Sequence, residues 1–555
     1  MSVFLCGGSE VLGGLFFLYS LRDQFGAQLR DQLVNQLGDK IQSSKSQSKL
    51  GPGLANILNH ENKSIRQGLR TDFSIASEFV TLNAIAKTNA IILTKDLTKL
   101  GLTQGSSSGL IVLGLLPLSA IPLLDNVNSL HYIALNKIST RGGSVVSQGV
   151  AAMRADVAKI ESGLDGSGIT VGVISDSYSQ SDDLEKLART AEIDKANGDL
   201  PQEAYALEES NDFFSTDEGR ALMQIVHDIA PQSSLVFLSG GNGIASTING
   251  IKKLVNEIEV DVIVDDTALG SATFFQDDLI AQAIDQAAEQ GVSYVTAVGN
   301  SGRNAYQSIY RETNNSVLNI NAHNFSDDGS TDIFQKFSLP EGSTMNMTLQ
   351  WSNPAYSVSG APGAQTDLDI SIVNSDGTQI IQSSNSINIS KDPIELLSFT
   401  NPEGSGQTSF NFVISKASGE PPELIKYIIE GRFAGTIEEY MTSSGSTVGR
   451  ENAASAISVG SVDYRKTPAM GASSPVLQHF SSAGGDTPIF FDTSGQRLVE
   501  QIIRPKPGIV GPDNVNTTFF NYEDDEGDTE NDSLPNFLGT SASAPHVAGV
   551  VALLL

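Results

Sequence analysis

The chain has 555 residues and a formal net charge of −30, because 64 Asp and Glu outnumber 34 Lys and Arg. Its length exceeds what one hydrophobic core supports and predicts about two to four domains. The charge argues against nucleic acid or an anionic membrane as partner, because both would repel the chain. A single cysteine excludes an internal disulfide framework, and no apolar run reaches the roughly 20 residues of a membrane span.

The N-terminal part divides into two regions. Residues 1–72 give no clear structural signal, and their apolar patch has no basic residues before it, so it makes a poor secretion signal. Residues 73–138 predict a small α+β domain of ferredoxin-like type. Its predicted elements are, in chain order, a strand at 79–85, a helix at 90–100, a Gly/Ser turn, a strand at 110–115, a helix at 119–127 and a strand at 130–135.

Residues 145–317 alternate apolar strands with helices. Such alternation is typical of a parallel sheet with helices on both faces, and ligand sites then gather at the carboxyl ends of the strands. The predicted strands are 169–175, 234–238, 260–264 and 293–298, and the predicted helices are 218–227, 244–258 and 276–290.

Residues 318–436 change to a period of two, with Gly, Pro and Asn between the runs. This pattern predicts an antiparallel β-sandwich. The α/β pattern resumes over 437–555, so the sandwich is interpreted as an insertion within one α/β domain. The sequence ends at Leu555 inside a predicted helix, and we therefore expect a truncated product or a fragment.

The strongest chemical signal lies between Gly539 and Gly549, which read GTSASAPHVAG. Ser541 stands in the first turn of a predicted helix, where free backbone N–H groups and the helix dipole favour developing negative charge. The string resembles the nucleophile segment of the subtilases, the subtilisin-like serine peptidases. That resemblance implies a serine endopeptidase that acts on protein or peptide substrates through an acyl-enzyme on Ser541.

Two further segments carry the same resemblance. A glycine turn leads into an apolar strand that ends at Asp176, the setting in which subtilases keep their catalytic aspartate. The segment ending in Gly299-Asn300 resembles the one whose asparagine donates to the oxyanion, which implies that role for Asn300. A dinucleotide fingerprint is rejected because the glycines precede the strand instead of following it.

The pattern breaks at the general base. Subtilisins place a histidine at the start of the helix that here opens with Glu218, and no other histidine in the sequence stands in a suitable context. His546 follows Ser541 by five positions, about 140° around the same helix, so it should point away. Glutamate at this place resembles the sedolisins, which share the fold and use Glu as base. The likeness is partial, because sedolisins have a second carboxylate where this chain has Leu222 and an aspartate where it has Asn300.

Three interpretations of Glu218 stay open. It is the general base, which predicts an acid-shifted pH optimum because a carboxyl titrates far below neutrality. It belongs to a capping box that begins at Ser215 in a weak or inactive protein. Or the alignment of the segment is wrong. The second interpretation leads to the alternative function, a subtilase-like binding or adhesion protein that uses the inserted sandwich for contacts.

The remaining expectations concern processing, metal and location. The 73–138 region resembles the inhibitory prodomains of the family, which implies a zymogen whose own propeptide covers its site. No cofactor is required, although the acid-rich loop Glu523–Asp532 could hold Ca²⁺. We expect a secreted or cell-envelope protein, with no partner among nucleic acids and no membrane span.

Overall fold

The N-terminal unit is a four-stranded antiparallel sheet with one helix. The computed structural model describes residues 49–50, 79–135, 138–139, 147–180, 190–210, 215–315, 320–520 and 534–555, so the predictions for residues 1–48 and 51–78 lie outside it. The elements are β1 (Phe79–Ala86), α1 (Ala90–Lys99), β2 (Thr103–Ser108), β3 (Ile111–Pro117), a 3₁₀ helix (Leu118–Asn126) and β4 (Leu130–Leu135). The strand order is β2-β3-β1-β4.

Two features of this unit differ from the prediction. The Gly/Ser segment predicted as a turn contains β2, which pairs with β3 across a tight hairpin at Gly109, where φ is 57°. Its sequence, TQGSSS, lacks the apolar alternation by which strands are recognised, so its pairing comes from the neighbouring apolar β3. The second predicted helix is 3₁₀ and contains Pro122, which cannot donate a backbone hydrogen bond.

The α/β region follows a short linker strand. Its first half contains the following elements, in chain order: β5 (Ile138–Ser139), α2 (Gly149–Ala152), α3 (Ala155–Ser162), β6 (Thr170–Ser175), α4 (Ala191–Asn197), β7 (Tyr205–Glu208), α5 (Glu218–Ile229), β8 (Ser234–Ser239), α6 (Ile244–Lys253), β9 (Val262–Asp265), β10 (Ala268–Leu269), α7 (Leu279–Glu289) and β11 (Ser293–Ala297). The predicted helix over 244–258 ends at Lys253 and continues as one π-helical turn.

Two antiparallel sheets then enclose a core of their own, and we call these residues, 305–437, the sandwich region. Their elements are β12 (Ala305–Ile309), β13 (Glu312–Asn315), β14 (Ile320–His323), β15 (Gln335–Ser338), β16 (Thr344–Trp351), α8 (Tyr356–Ser359), β17 (Thr366–Asn374), β18 (Ile380–Ser384), β19 (Ile394–Thr400), β20 (Ser409–Gly419), β21 (Leu424–Ile429) and β22 (Thr436–Ile437). One sheet has the order β12-β21-β16-β19, and the other is built around β20. Trp351, Phe337 and Phe412 are buried between them. Because β12 already belongs to these sheets, the region begins before the predicted boundary at 318.

The chain returns to the α/β region through β23 (Ile457–Asp463), β24 (Pro488–Phe491), β25 (Arg497–Ile503), β26 (Ile509–Asp513), β27 (Val515–Asn516), β28 (Asn536–Phe537) and α9 (Thr540–Leu554). The large sheet has the order β26-β23-β11-β9-β6-β8-β7, and every adjacent pair in it is parallel. Residues of α5 and α9 cover one face, and residues of α6 and α7 cover the other. Helices on both faces explain why the central strands are continuously apolar.

The N-terminal sheet contacts both other parts of the molecule. Its face presents Leu113 and Tyr132 to Ala245 of α6 and to Tyr356 of the sandwich region. The Tyr132 hydroxyl donates a hydrogen bond to Asp392, and the ring of His131 stacks on Tyr356 at 3.7 Å between centroids. The sandwich region therefore forms part of the surface against which the N-terminal sheet packs.

Candidate active site

The site lies where several strands of the large sheet end. Asp176 directly follows β6, Asp266 follows β9 and Asn300 lies three residues after β11. The register aligns Ile174 with Asp265 on the neighbouring parallel strand. Because carboxyl ends of parallel strands meet at one edge, these side chains converge there. Helices α5 and α9 begin at the same edge and bring Glu218 and Ser541 to it.

Asp176 accepts four hydrogen bonds at the start of α5. Its Oδ1 accepts from the backbone N–H of Ser177 at 2.5 Å and of Glu218 at 2.9 Å. Its Oδ2 accepts from the backbone N–H and the hydroxyl of Thr216 at 2.5 and 2.6 Å. Burial raises the pKa of Asp176 to about 6, although the hydrogen bonds from Thr216 and Ser177 lower it. The carboxyl thus fixes the backbone from which the Glu218 side chain projects.

The capping-box interpretation of Glu218 is wrong. The residue before the helix is Asp217, with a left-handed φ of 62°, and its side chain makes no capping hydrogen bond to the helix. Ser215 lies two residues too early to serve as the cap. The Asp217 carboxyl instead accepts from the Ser177 hydroxyl at 3.1 Å and from the backbone N–H of Gln180 at 2.7 Å. The capping acceptor comes from Asp176, in a different strand, which leaves the Glu218 carboxyl free of this structural duty.

The Glu218 side chain is buried, with 1% of its surface exposed, and contacts Ser541 and Asp266. Burial, followed by the charges of Asp266 and Asp176, raises its pKa well above the usual value for glutamate, and the contact with the Ser541 hydroxyl opposes that shift. Neither Glu218 Oε1 nor Ser541 Oγ has a fully formed hydrogen bond within the described residues. Long contacts of this kind are common in active sites without substrate.

Asp266 is the site residue that sequence reasoning missed. Its side chain is fully buried and contacts the Glu218 carboxyl and the Ser175 hydroxyl. Burial, with the neighbouring charge of Asp265, raises the pKa of Asp266, although the contacts with Ser175 and Glu218 oppose that shift. Its backbone N–H donates to the carbonyl of Ile174 at 3.2 Å, which ties it to the strand that ends at Asp176. The sequence signal was present, because the apolar strand in VIVDD ends in carboxylates just as the strand before Asp176 does.

The adjacent Asp265 has a different environment, because its charge is paired. Its Oδ2 accepts from the Arg450 guanidinium at 2.6 Å and from the Tyr294 hydroxyl at 2.7 Å. Its Oδ1 accepts from the backbone N–H and the hydroxyl of Thr267 at 2.8 and 2.7 Å. These bonds fix the turn after β9 and hold the backbone of Asp266, but they leave the Asp266 carboxyl to face Glu218.

Asn300 is oriented by the residue before the nucleophile. Its Oδ1 accepts from the backbone N–H of Thr540 at 3.0 Å and from the Thr540 hydroxyl at 3.1 Å. The Thr540 hydroxyl also accepts from the backbone N–H of Gly299 at 3.0 Å. Since a backbone N–H can only donate, Thr540 requires the oxygen of the Asn300 amide on its side. The amide nitrogen is thereby left to donate to another group.

The histidines in the described ranges lie away from Ser541. His546, in α9, contacts the carbonyl of Ala542 through Nδ1 at 2.6 Å, and its Nε2 contacts the hydroxyl of Ser147 on the far side of the helix. Burial lowers its pKa to about 4. His227 lies nine residues, about two and a half turns, along α5 from Glu218, near Lys159. His131 and His323 contact aromatic rings elsewhere, His479 packs on Phe480, and His60 lies outside the described residues.

The segment between β4 and α2, residues 136–148, is called the linker, and its strand β5 lies beside the site. Strand β5 pairs antiparallel with β10, with Ser139 opposite Ala268 and Ile138 opposite Leu269. Strand β10 begins two residues after Asp266, so this linker segment passes the edge of the sheet that carries the site. Residues 140–146, which follow it, are outside the described part.

The described residues contain no group of three or more His, Cys, Asp or Glu side chains that could hold a metal ion. The loop Glu523–Asp532, predicted as a possible calcium site, lies outside them. Within the described ranges, no helix combines the length and the apolar character needed to cross a bilayer.

Comparison with known proteins places the sequence in a family. The subtilase family model matches residues 215–555, more than half of the chain, and no curated protein matches. Among solved structures, the chain is similar to the Clostridium perfringens CspB protease at 14% identity, covering 74% of this chain and 86% of that one, with a TM-score of 0.42. It is similar to the epidermin leader peptide processing serine protease EpiP from Staphylococcus aureus at 12% identity, covering 86% and 88%, with a TM-score of 0.36. It is similar to MycP1 from the ESX-1 type VII secretion system at 13% identity, covering 75% of this chain and 80% of that one, with a TM-score of 0.30.

Proposed function

The chain belongs to the subtilase family of serine peptidases, and on that basis we propose that it is an endopeptidase in which Ser541 is the nucleophile and Glu218 the general base. The contact between the buried Glu218 carboxyl and the Ser541 hydroxyl carries this proposal. In this respect the site is sedolisin-like, with glutamate where subtilisins have histidine.

The chemistry requires one proton to move twice. Ser541 Oγ bonds to the carbonyl carbon of the substrate, its proton passes to Glu218, and the carbonyl electron pair moves onto oxygen. When the C–N bond breaks, Glu218 returns the proton to the leaving amine and an acyl-enzyme remains. Water then repeats the two steps, releases the acid product and restores Ser541.

Asp176 and Asn300 support this chemistry in different ways. Asp176 holds the start of α5 through its bonds to Thr216 and Glu218, and so orients the base. Asn300 supplies the amide N–H that donates to the oxyanion, because Thr540 occupies its oxygen. A preorganised donor of this kind stabilises charge only as it develops, which favours the transition state over bound substrate.

We also propose that residues 73–138 act as an inhibitory prodomain and that the linker carries the processing site. The antiparallel pairing of β5 with β10 supports this, because it holds the linker as a strand next to the sheet edge that carries Asp266. The substrates are then proteins or peptides, with the chain's own propeptide as the first of them. A secreted or cell-envelope location and calcium binding stay predictions. The inactive binding or adhesion protein is not favoured, because the family is one of peptidases.

The test compares the full chain with its Ser541→Ala, Glu218→Gln and Glu395→Gln variants. Glu395 is the matched control, a buried glutamate in β19 of the sandwich region. Propeptide release and casein hydrolysis are measured from about pH 3 to 9. We expect activity in the parent and in Glu395→Gln and its loss in the other two. Full activity of Glu218→Gln would overturn the assignment of the base, and a folded but inactive parent would overturn the proposal itself.

A further inference from the structure

Two buried carboxyl groups face each other beside the nucleophile. Glu218 and Asp266 are in side-chain contact, and neither is more than 1% exposed. Glu218 Oε1 and both carboxylate oxygens of Asp266 have no fully formed hydrogen bond within the described residues. Two ionised carboxylates in contact within a buried site repel strongly, so such a pair retains one proton between them.

The surrounding charges favour retention of that proton. Asp176 faces the pair from the end of β6, and its charge raises the pKa of both carboxyls. Asp265, at the end of β9, raises the pKa of Asp266, although Arg450 offsets the charge of Asp265. Helix α9 contributes only the Ser541 hydroxyl, since its histidine lies on the opposite side. Every carboxylate that faces the pair therefore makes a second negative charge less favourable.

We propose that Asp266 is a positioning residue that holds a proton against Glu218, so that the active form of the site carries one proton on the pair. This inference rests on the proposed role of Glu218 as the base. The protonated Asp266 donates a hydrogen bond to one oxygen of Glu218, which turns the other oxygen towards Ser541 as the acceptor.

The proton balance follows from this arrangement. During attack the Ser541 proton moves to Glu218 while Asp266 keeps its own, so the pair changes from one negative charge to none. When the leaving amine departs, Glu218 gives up the proton that it received, and the pair recovers its single charge. Asp266 never exchanges its proton with the substrate, and its function is exerted through Glu218.

The arrangement predicts two limits on activity. At low pH both carboxyls are protonated and Glu218 cannot accept, so activity falls. At high pH the shared proton leaves, Asp266 can no longer donate, and activity falls again. The profile is a bell whose two limbs belong to the pair and not to either residue alone.

The test is the pH profile of kcat/KM for Asp266→Asn, Asp266→Ala and the control Asp228→Asn. Asn can donate at every pH, so Asp266→Asn should keep activity and lose the high-pH limb. Ala cannot donate, so we expect a loss of about 10²-fold or more at every pH. Asp228 is half-buried, and burial raises its pKa to about 6, but it contacts Ser147 near the far end of α5. Its variant should keep the parent profile.

A second measurement covers variants that fail to fold. In the Ser541→Ala protein, infrared spectroscopy should detect a protonated carboxyl near neutral pH that disappears when Glu218→Gln is added. Absence of that signal, or an Asp266→Asn profile identical to the parent, would overturn the role of Asp266 while leaving Glu218 as base. If Glu218→Gln hydrolyses casein normally, the proposed function fails first, and the two failures are thereby distinguished.

Discussion

Replacing Asp176 by Asn should destabilise the protein by an amount set by its four donors. The amide nitrogen of the new side chain should take the position of Oδ2, where the Thr216 hydroxyl can rotate and accept a hydrogen bond from it. It should not take the position of Oδ1, because the backbone N–H groups of Ser177 and Glu218 that point there can only donate. One donor, the Thr216 backbone N–H, then loses its acceptor, which costs about 1–3 kcal/mol in a buried site. The hydrogen bonds to the neutral amide oxygen are weaker than those to a carboxylate. This loss is offset because Asn no longer carries the buried negative charge whose desolvation raises the Asp176 pKa. The expected loss in unfolding free energy is therefore about 1–3 kcal/mol.

Urea denaturation of the Ser541→Ala protein, which cannot digest itself, measures this loss at about pH 8, where Asp176 is ionised. Thr216→Val provides a sharper check, because it removes the hydroxyl that rescues the amide. The two substitutions together should cost more than the sum of the single changes. A stabilised Asp176→Asn protein, or strict additivity with Thr216→Val, would refute this account of how α5 is capped.

Asn300→Ala should lower kcat about 10²–10³-fold, the loss known for removal of one oxyanion donor in a subtilisin. Thr540→Val should lower kcat less, because the Thr540 backbone N–H still orients the Asn300 amide. Equal losses of kcat in the two variants would contradict the orienting role of that N–H. Burial raises the folded-state pKa of Asp513 to about 7, so between about pH 4 and 7 the folded state binds more protons than the unfolded chain. The free energy of unfolding should therefore fall as the pH rises over this range, and it should fall less steeply in Asp513→Asn. Equal slopes for the two proteins in urea titrations would exclude this role of Asp513. Gly219→Ala should lower the free energy of unfolding by about 1–3 kcal/mol and reduce casein hydrolysis, because the added Cβ would lie 2.8 Å from the Ser177 carbonyl oxygen. An unchanged melting temperature of this variant would count against the close packing.

The central sheet was predictable because its strands are buried on both faces. Strands such as β6, β8 and β11 are continuous apolar runs, and each differs from its predicted bounds by one residue at one end only. Strand β7, at the edge of the sheet, is half-exposed and gives no such run. Strand β2 is polar throughout and exists because β3 pairs with it. Edge strands are specified by their neighbours more than by their own residues.

The site was predictable only where a residue stands in a familiar string. The sequence predicted Ser541 as nucleophile from its segment, and it predicted Glu218 as base because a histidine was missing there. It could not show that Asp176 caps α5, since the two segments are separated by forty residues and meet only through the order of the strands. Asp266 was missed for a related reason. Nothing local distinguishes it from the paired Asp265, and only the Arg450 contact, 185 positions away, separates their roles.

The N-terminal sheet packs against residues of two distant parts of the chain, α6 and the sandwich region, and this has a consequence for biosynthesis. Tyr132 and Asp392 are 260 positions apart, so a nascent chain cannot complete that contact until the sandwich region has left the ribosome. Ser541 is translated later still. We therefore expect the N-terminal sheet to dock before Ser541 has been synthesised, so that the proposed site is already covered when each new molecule is complete. Stalled nascent chains of increasing length, probed by limited proteolysis, should show protection of the N-terminal sheet after Asp392 emerges and before Ser541 does.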